Sequence, residues 1–267
     1  MRVLFSIIFF NILFAFNESI VLMAQNDLSR CMVENAMSFV NVPYKSATLD
    51  ASNEEILVCR NDGFDCVTLV EYVAALSMYQ LKDKKSPSTF EQFLTQIRYR
   101  NGVIDGYGSR LHYFTEWIDQ QQHLGWCHDI THEIGGIAYT KHINFMSKNK
   151  GKYPRLKGTK IESEIESAEN HCNSLTRYYI PKVDLPHCEM EILNGDIIAI
   201  TTTIDGLDIV HVGLAYKQGK KLHLLHASQK LGKVSISKVS LYEYLTSNPN
   251  QSGIVVIRPK RPILLSR

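Results

Sequence analysis

The sequence has no repeated C-x-x-C spacing, no internal repeat, no low-complexity tract, and no long run of one charge sign, the lysine cluster from Lys82 to Lys85 being interrupted by Asp83. The first absence removes the usual signature of structural zinc. The next two set aside solenoids, fibres and disordered tails. With 29 basic against 27 acidic side chains and a net charge of +2, the electrostatic footprint of a nucleic-acid binder is missing, and nucleic acid is not an expected partner. The N-terminal apolar run stops at Asn17-Glu18-Ser19, short of the roughly 20 residues that cross a bilayer. What is present is a chain of 267 residues, 45% hydrophobic and 21% charged, enough apolar material for one domain with insertions.

Met1-Arg2 followed by Val3 to Phe16 has the charge-then-apolar shape of a secretory signal peptide. Residues 1–25 are therefore expected to be removed, leaving 26–267 as one domain with no stable membrane association. A second apolar patch from Ile20 to Ala24 supports the alternative of a retained anchor. Cys31 follows Leu28-Ser29-Arg30 and lacks the small apolar lead-in of a lipoprotein acceptor, which favours a soluble exported protein. The other cysteines are Cys59, Cys66, Cys127, Cys172 and Cys188. Cys172 and Cys188 flank a polar, Pro-containing stretch and are one candidate disulfide; six reduced thiols are the equal alternative.

Helical spacing of Leu28, Met32, Ala36 and Val40 predicts a helix from Asn26 to Val40, closed by Pro43. Further helices are predicted over Asp65 to Leu81, from a Ser88-to-Glu91 capping box, and over Arg110 to Gln122. Beyond Asn194-Gly195 the pattern turns to strands: Asp196–Thr203, Ile209–Tyr216, Lys221–Ala227 and Gly253–Arg258, with hairpin turns at Asp205-Gly206 and Gln218-Gly219. Helices first and an antiparallel sheet afterwards define an α+β chain. The lysine-rich stretch 148–173 reads as a polar insertion over the core.

Asp62-Gly63-Phe64-Asp65-Cys66 opens the most apolar helix. A thiol there sits at the positive end of the helix macrodipole, which favours thiolate, and unpaired amides at the same end can stabilise an oxyanion. The plain alternative is an inert buried cysteine. Alternation across Asp208 to Leu214 turns His211 to the face opposite Val210 and Val212, and the next strand carries His223 and His226 on opposite faces, one of which can fix the tautomer of a base. Cys127-His128-Asp129-Ile130-Thr131-His132-Glu133 has two histidines four apart but not the H-E-x-x-H order, and is read as a polar surface loop with no metal.

Phe64-Asp65-Cys66, Val210-His211-Val212-Gly213 and Leu225-His226-Ala227-Ser228 resemble the three catalytic blocks of NlpC-type, papain-like cell-wall hydrolases. The resemblance implies a papain-like fold with Cys66 as nucleophile, His211 as base and His226 as the orienting third member. Val42-Pro43-Tyr44, Arg98-Tyr99-Arg100, Tyr107 to Tyr113 and Trp117-Ile118 narrow it to the N-acetylmuramoyl-L-alanine amidase-like branch, over roughly Val42 to Pro259. Val67 and Thr68 stand where ordinary NlpC endopeptidases have serine and often glycine, which favours that branch. The implied reaction is hydrolysis of the muramoyl-to-L-alanine amide of peptidoglycan fragments, without metal or organic cofactor, in the periplasm of a Gram-negative bacterium. A D,L-endopeptidase within the stem peptide and an inactive glycopeptide-binding module are the alternatives. The resemblance also implies substrate contacts from Tyr44, Ser109, Arg110 and His112. On a helix beginning at Arg110, that guanidinium would share a face with Tyr113, Phe114 and Trp117 and meet a stem-peptide carboxylate, unless the aromatics are core.

Overall fold

The apolar alternation from Ile197 onward builds the centre of the fold. A computed structural model of the chain describes residues 27–52 and 54–260; residues 1–25, read above as a signal peptide, lie outside the described residues. Eight strands form one sheet: β1 (Cys127–Asp129), β2 (Ile137–Ala138), β3 (Tyr178–Pro181), β4 (Ile197–Thr202), β5 (Ile209–Gln218), β6 (Lys221–Ser228), β7 (Lys233–Ile236) and β8 (Gln251–Pro259). Every pairing is antiparallel, in the order β2-β3-β8-β4-β5-β6-β7, with β1 against the far end of β8.

Period-2 burial gives the sheet two apolar faces. Ile197, Ala199, Val212, Leu214 and Leu225 pack under helices α1 (27–38), α2 (Cys66–Leu81), α3 (Phe90–Arg98) and α4 (Phe114–His123). Ile198, Ile200, Ala215 and Leu224 pack on the opposite side. There they meet Leu185 and Cys188 of the short helix α7 (Leu185–Cys188) and Leu241 and Leu245 of α8 (Leu241–Thr246). All six residues of β4 are buried, as a strand covered on both faces requires. The chain is thus a mixed α/β protein around an antiparallel sheet: α1 to α4 come first as expected, but the short strands β1 to β3 precede Asn194 and further helices are interleaved with the strands, so helices and sheet do not separate along the chain.

Several local expectations are corrected. The α3 capping box is Thr89 with Gln92, one residue later than the Ser88 pattern: the Thr89 hydroxyl accepts from the Gln92 amide and the Gln92 side chain accepts from the Thr89 amide. Helix α4 begins at Phe114, so Arg110 and Tyr113 do not share its face. Arg110 is extended and bridges Tyr99, and the Leu111 amide donates to the Arg98 carbonyl. The α4 end is capped from a distance: the buried carboxylate of Asp208 accepts from the Thr115 amide at 2.8 Å. Trp117 and Phe114 stack at 4.6 Å inside the core.

The polar stretch 148–173 is not a loose cover. It contains α6 (Thr159–Ser174), whose Ile165 and Cys172 join Tyr107, Tyr113, Ile143 and Met146 in a third cluster beside α5 (Phe145–Lys148). The Tyr113 hydroxyl donates to Glu169 at 2.6 Å. Cys172 and Cys188 lie in separate clusters and all six cysteines are free, so the disulfide between them does not form. Cys127 to Asp129 is a strand rather than a loop, and His128 pairs with Glu133 at 2.7 Å on the surface. Among the described residues no cluster of three or more His, Cys, Asp or Glu could hold a metal, and no helix is long and apolar enough to cross a membrane.

Candidate active site

Cys66 is the first residue of α2 because Asp65 stops the backbone in an extended conformation and caps the helix. The Asp65 carboxylate accepts from the Thr68 amide at 2.8 Å, and the Asp65 amide donates to the Thr68 hydroxyl at 3.0 Å. This capping box accounts for threonine at position 68. The segment ahead of it is pinned to the sheet. Residues 41–44 run along β7 through the Asn41 amide to Val234, the Val234 amide to Val42 and the Tyr44 amide to Gly232, and Tyr44 then bridges Phe64. The helix N-terminus is thereby delivered to the sheet with its first amides, those of Cys66 and Val67, free of intrahelical acceptors.

The sheet opens where this end arrives. Strands β5 and β6 pair from Gln218 with Lys221 as far as Leu214 with Leu225, and no further, although β5 reaches back to Ile209 and β6 on to Ser228. A β-bulge at Val210 shifts the β4–β5 register between Ile200 with His211 and Thr201 with Ile209. The extra residue re-aims its neighbours, leaving Val210 exposed and His211 turned to the α8 side. His226 leaves β6 on the same side. Nε2 of His211 and Nδ1 of His226 lie 2.6 Å apart with perpendicular rings. Gly213 makes room for this: a Cβ there would stand 2.9 Å from the Cβ of His226. Tyr244 of α8 closes the group, with ring centroids 6.3 Å from His211 and 5.5 Å from His226. His223, on the other face of β6, bonds the Ser237 carbonyl and takes no part.

Burial sets the charge states. Cys66 keeps some surface, yet its sulfur is desolvated and the thiol is pushed up to about 12, first by burial and then by the Asp65 carboxylate. The amides of Val212, Val67 and Cys66 itself pull the other way and do not prevail. The thiolate expected from the macrodipole is therefore disfavoured at rest: desolvation, with the Asp65 carboxylate adding to it, outweighs the helix end. Burial, assisted by His226, lowers His211 to about 3, and burial alone lowers His226 to about 4. Burial raises the Tyr44 and Tyr244 hydroxyls, and both also feel the charge of Cys66. The two imidazoles and Tyr244 line a cleft of about 800 Å³ together with residues of the β6–β7 and β7–α8 connections.

Of the other sequence-predicted residues, Tyr44 is on the segment that bridges Phe64, two residues before Cys66, and feels the charge of the thiol. Ser109, Arg110 and His112 belong to a different polar cluster. The Arg110 guanidinium donates to Glu55 at 2.6 Å, Asp50 at 2.8 Å and the Leu49 carbonyl at 2.6 Å, and lies 5.1 Å from the Tyr107 ring. Arg155 also pairs with Glu55, at 3.0 Å. Ser109 donates to the Gly106 carbonyl, and His112 bonds the Tyr107 carbonyl and packs on its ring at 4.4 Å. A substrate carboxylate would have to displace one of the partners of Arg110 to reach it. Tyr244, the Val210 bulge and the Asp208 cap were missed in the sequence. Only Tyr244 had a readable sign: Ser240 with Glu243 is a capping box that announces α8.

Known proteins converge on the same chain. The crystal structure of an N-acetylmuramoyl-L-alanine amidase from Bacteroides uniformis superposes with a TM-score of 0.80 at 37% identity, covering 87% of this chain and 99% of its own. A second crystal structure of an amidase of that name and organism is 38% identical with the same TM-score and coverage. A Legionella pneumophila protein superposes at 0.65 with 25% identity, over 92% of this chain and 96% of its own. No curated protein matches the chain. Fold and matches together define an amidase-like protein. The chain belongs to the N-acetylmuramoyl-L-alanine amidase-like family, whose profile matches residues 35–254.

Proposed function

We propose that this chain is an exported cysteine amidase of the NlpC-type, papain-like kind that hydrolyses the amide between muramic acid and L-alanine in peptidoglycan fragments. The observation that carries the reading is the 2.6 Å contact between His211 Nε2 and His226 Nδ1 at the point where a helix-opening thiol meets two diverging strands. If His211 Nε2–H donates to His226 Nδ1, then His211 Nδ1 is left as the basic nitrogen, and His226 acts by fixing that tautomer. The proton of the Cys66 thiol passes to His211 as sulfur attacks the carbonyl. Burial holds each group neutral alone, but the thiolate–imidazolium pair is neutral overall and costs less to form in the site than either ion singly. Amides of Cys66 and Val67 at the α2 end, with Tyr44 beside them, face the developing oxyanion. The C–N bond breaks, His211 protonates the leaving amine, and water, deprotonated by His211, hydrolyses the thioester and restores the thiol.

Similarity to the Bacteroides uniformis N-acetylmuramoyl-L-alanine amidases supports the choice of bond. Ser109, Arg110 and His112 are assigned to holding the 107–112 segment against Glu55. Residues 1–25 would act as the export signal and the mature enzyme would work in the periplasm. The test is mass spectrometry of products from defined muramyl-peptides, with wild type beside Cys66→Ala. Release of a free muramic sugar and an intact L-alanine-led peptide, lost in the variant, is expected. Cleavage between stem residues would select a D,L-endopeptidase, and no cleavage of any fragment would favour a binding module.

A further inference from the structure

The cleft beside the imidazoles carries charge of one sign. Among the described residues that line it, no Asp or Glu occurs, whereas Lys230 enters from the β6–β7 connection and Lys238 from the β7–α8 connection. Both lysines are exposed, and neither has a hydrogen-bond or ion-pair partner among the described residues. Lys45, on the chain segment leading to the thiol, is by contrast held by Asp62 at 2.8 Å. His211 and His226, which line the same cleft, are kept neutral by burial. Two unpaired ammonium groups at the mouth of a concave, partly apolar wall focus a positive potential into it. Their flexible stems suit carboxylates whose positions vary more than a rigid guanidinium fork would allow.

We propose that Lys230 and Lys238 recognise free carboxylates on the peptide part of the substrate, so that the cleft selects acidic stem peptides over amidated ones. This rests on the amidase reading above and names the substrate class that the site prefers. It also gives the carboxylate a receptor other than Arg110, whose donors are already occupied.

Calorimetric titration of the full chain as Cys66→Ala, with muramyl-L-alanyl-D-glutamate and with its diamide, in which both glutamate carboxyls are amidated, tests the proposal. The free-carboxylate ligand is expected to bind roughly three- to tenfold more tightly at low salt, with the preference shrinking as ionic strength rises. Adding Lys230→Ala and Lys238→Ala is expected to remove the preference while leaving affinity for the amidated ligand unchanged. Equal affinity for the two ligands, binding of neither, or a preference that survives loss of both lysines would overturn it. Product analysis of the wild-type protein on the same ligands separates the two claims. Cleavage of the muramoyl amide without a charge preference removes only the lysine proposal, and a preference without that cleavage removes only the amidase reading.

Discussion

Two polar clusters of the molecule, one around Arg110 and one around Cys66, are in opposite conditions. Around Arg110 every strong group finds an internal partner: Glu55 is shared by Arg110, Arg155 and the Tyr99 hydroxyl, and Asp50 closes the outer side. Around Cys66 the groups are neutral, desolvated and left with unused valence, beside a cleft. A saturated ion-pair network stiffens a scaffold, whereas neutral groups with free lone pairs and unpaired amides are poised to exchange a proton. Mutations should therefore separate the clusters, one set removing turnover and the other removing stability.

The largest effect is expected from Cys66→Ala. Turnover should fall by about 10³-fold or more, while thermal unfolding shifts little, because only a sulfur on a helix end is lost. Next, His226→Gln is expected to lower kcat by roughly 10²–10⁴-fold with KM little changed, since it disturbs the tautomer of His211 and not substrate contact. In the other cluster, Arg110→Ala strands the buried Glu55 carboxylate with fewer partners. It should cost about 3–5 kcal/mol in denaturant unfolding while the protein that remains folded keeps its kcat. A large loss of kcat with unchanged stability would break the distinction.

The smallest effect is read from pH. His112, His211 and His226 are held neutral, lowered to about 4, 3 and 4 by burial. The unfolded chain takes up protons on these rings near the ordinary histidine value of about 6.5 and the folded chain does not, so more protons bind to the unfolded state in that window. Stability is therefore full above about pH 6.5 and declines as pH falls towards 4. His112→Gln should flatten that decline by at most about 1.4 kcal/mol per pH unit without altering the pH profile of kcat. A slope unchanged in this variant would show that His112 is protonated in the folded chain.

Much of this was legible in the residues because local signals and tertiary outcome agree. Asp65 before Cys66 is a cap, and α2 starts there; alternation along β5 and β6 does put His211 and His226 on a common side. The helix start read at Arg110 was wrong because its spacing fitted a helix that tertiary contacts do not allow: Asp208, far along the chain, supplies the α4 cap at Thr115 instead. The bulge at Val210 depends on β4 pairing and leaves no mark in the sequence of β5. The thiol's charge state was misjudged for a related reason, since desolvation is a property of the assembled site and outweighs the helix end. In α6 the signal was present, with Ile161, Ile165, Ala168 and Cys172 at three- and four-residue steps, but it was masked by the charged residues between them.

The central claim is that an acyl group passes through the sulfur of Cys66, and trapping with hydroxylamine during turnover of muramyl-peptides tests it most directly. The account predicts a muramoyl hydroxamate, formed in the same ratio to free acid from substrates with different stem peptides and absent with Cys66→Ala. Sugar release that continues in Cys66→Ala, with no hydroxamate from either protein, would contradict it.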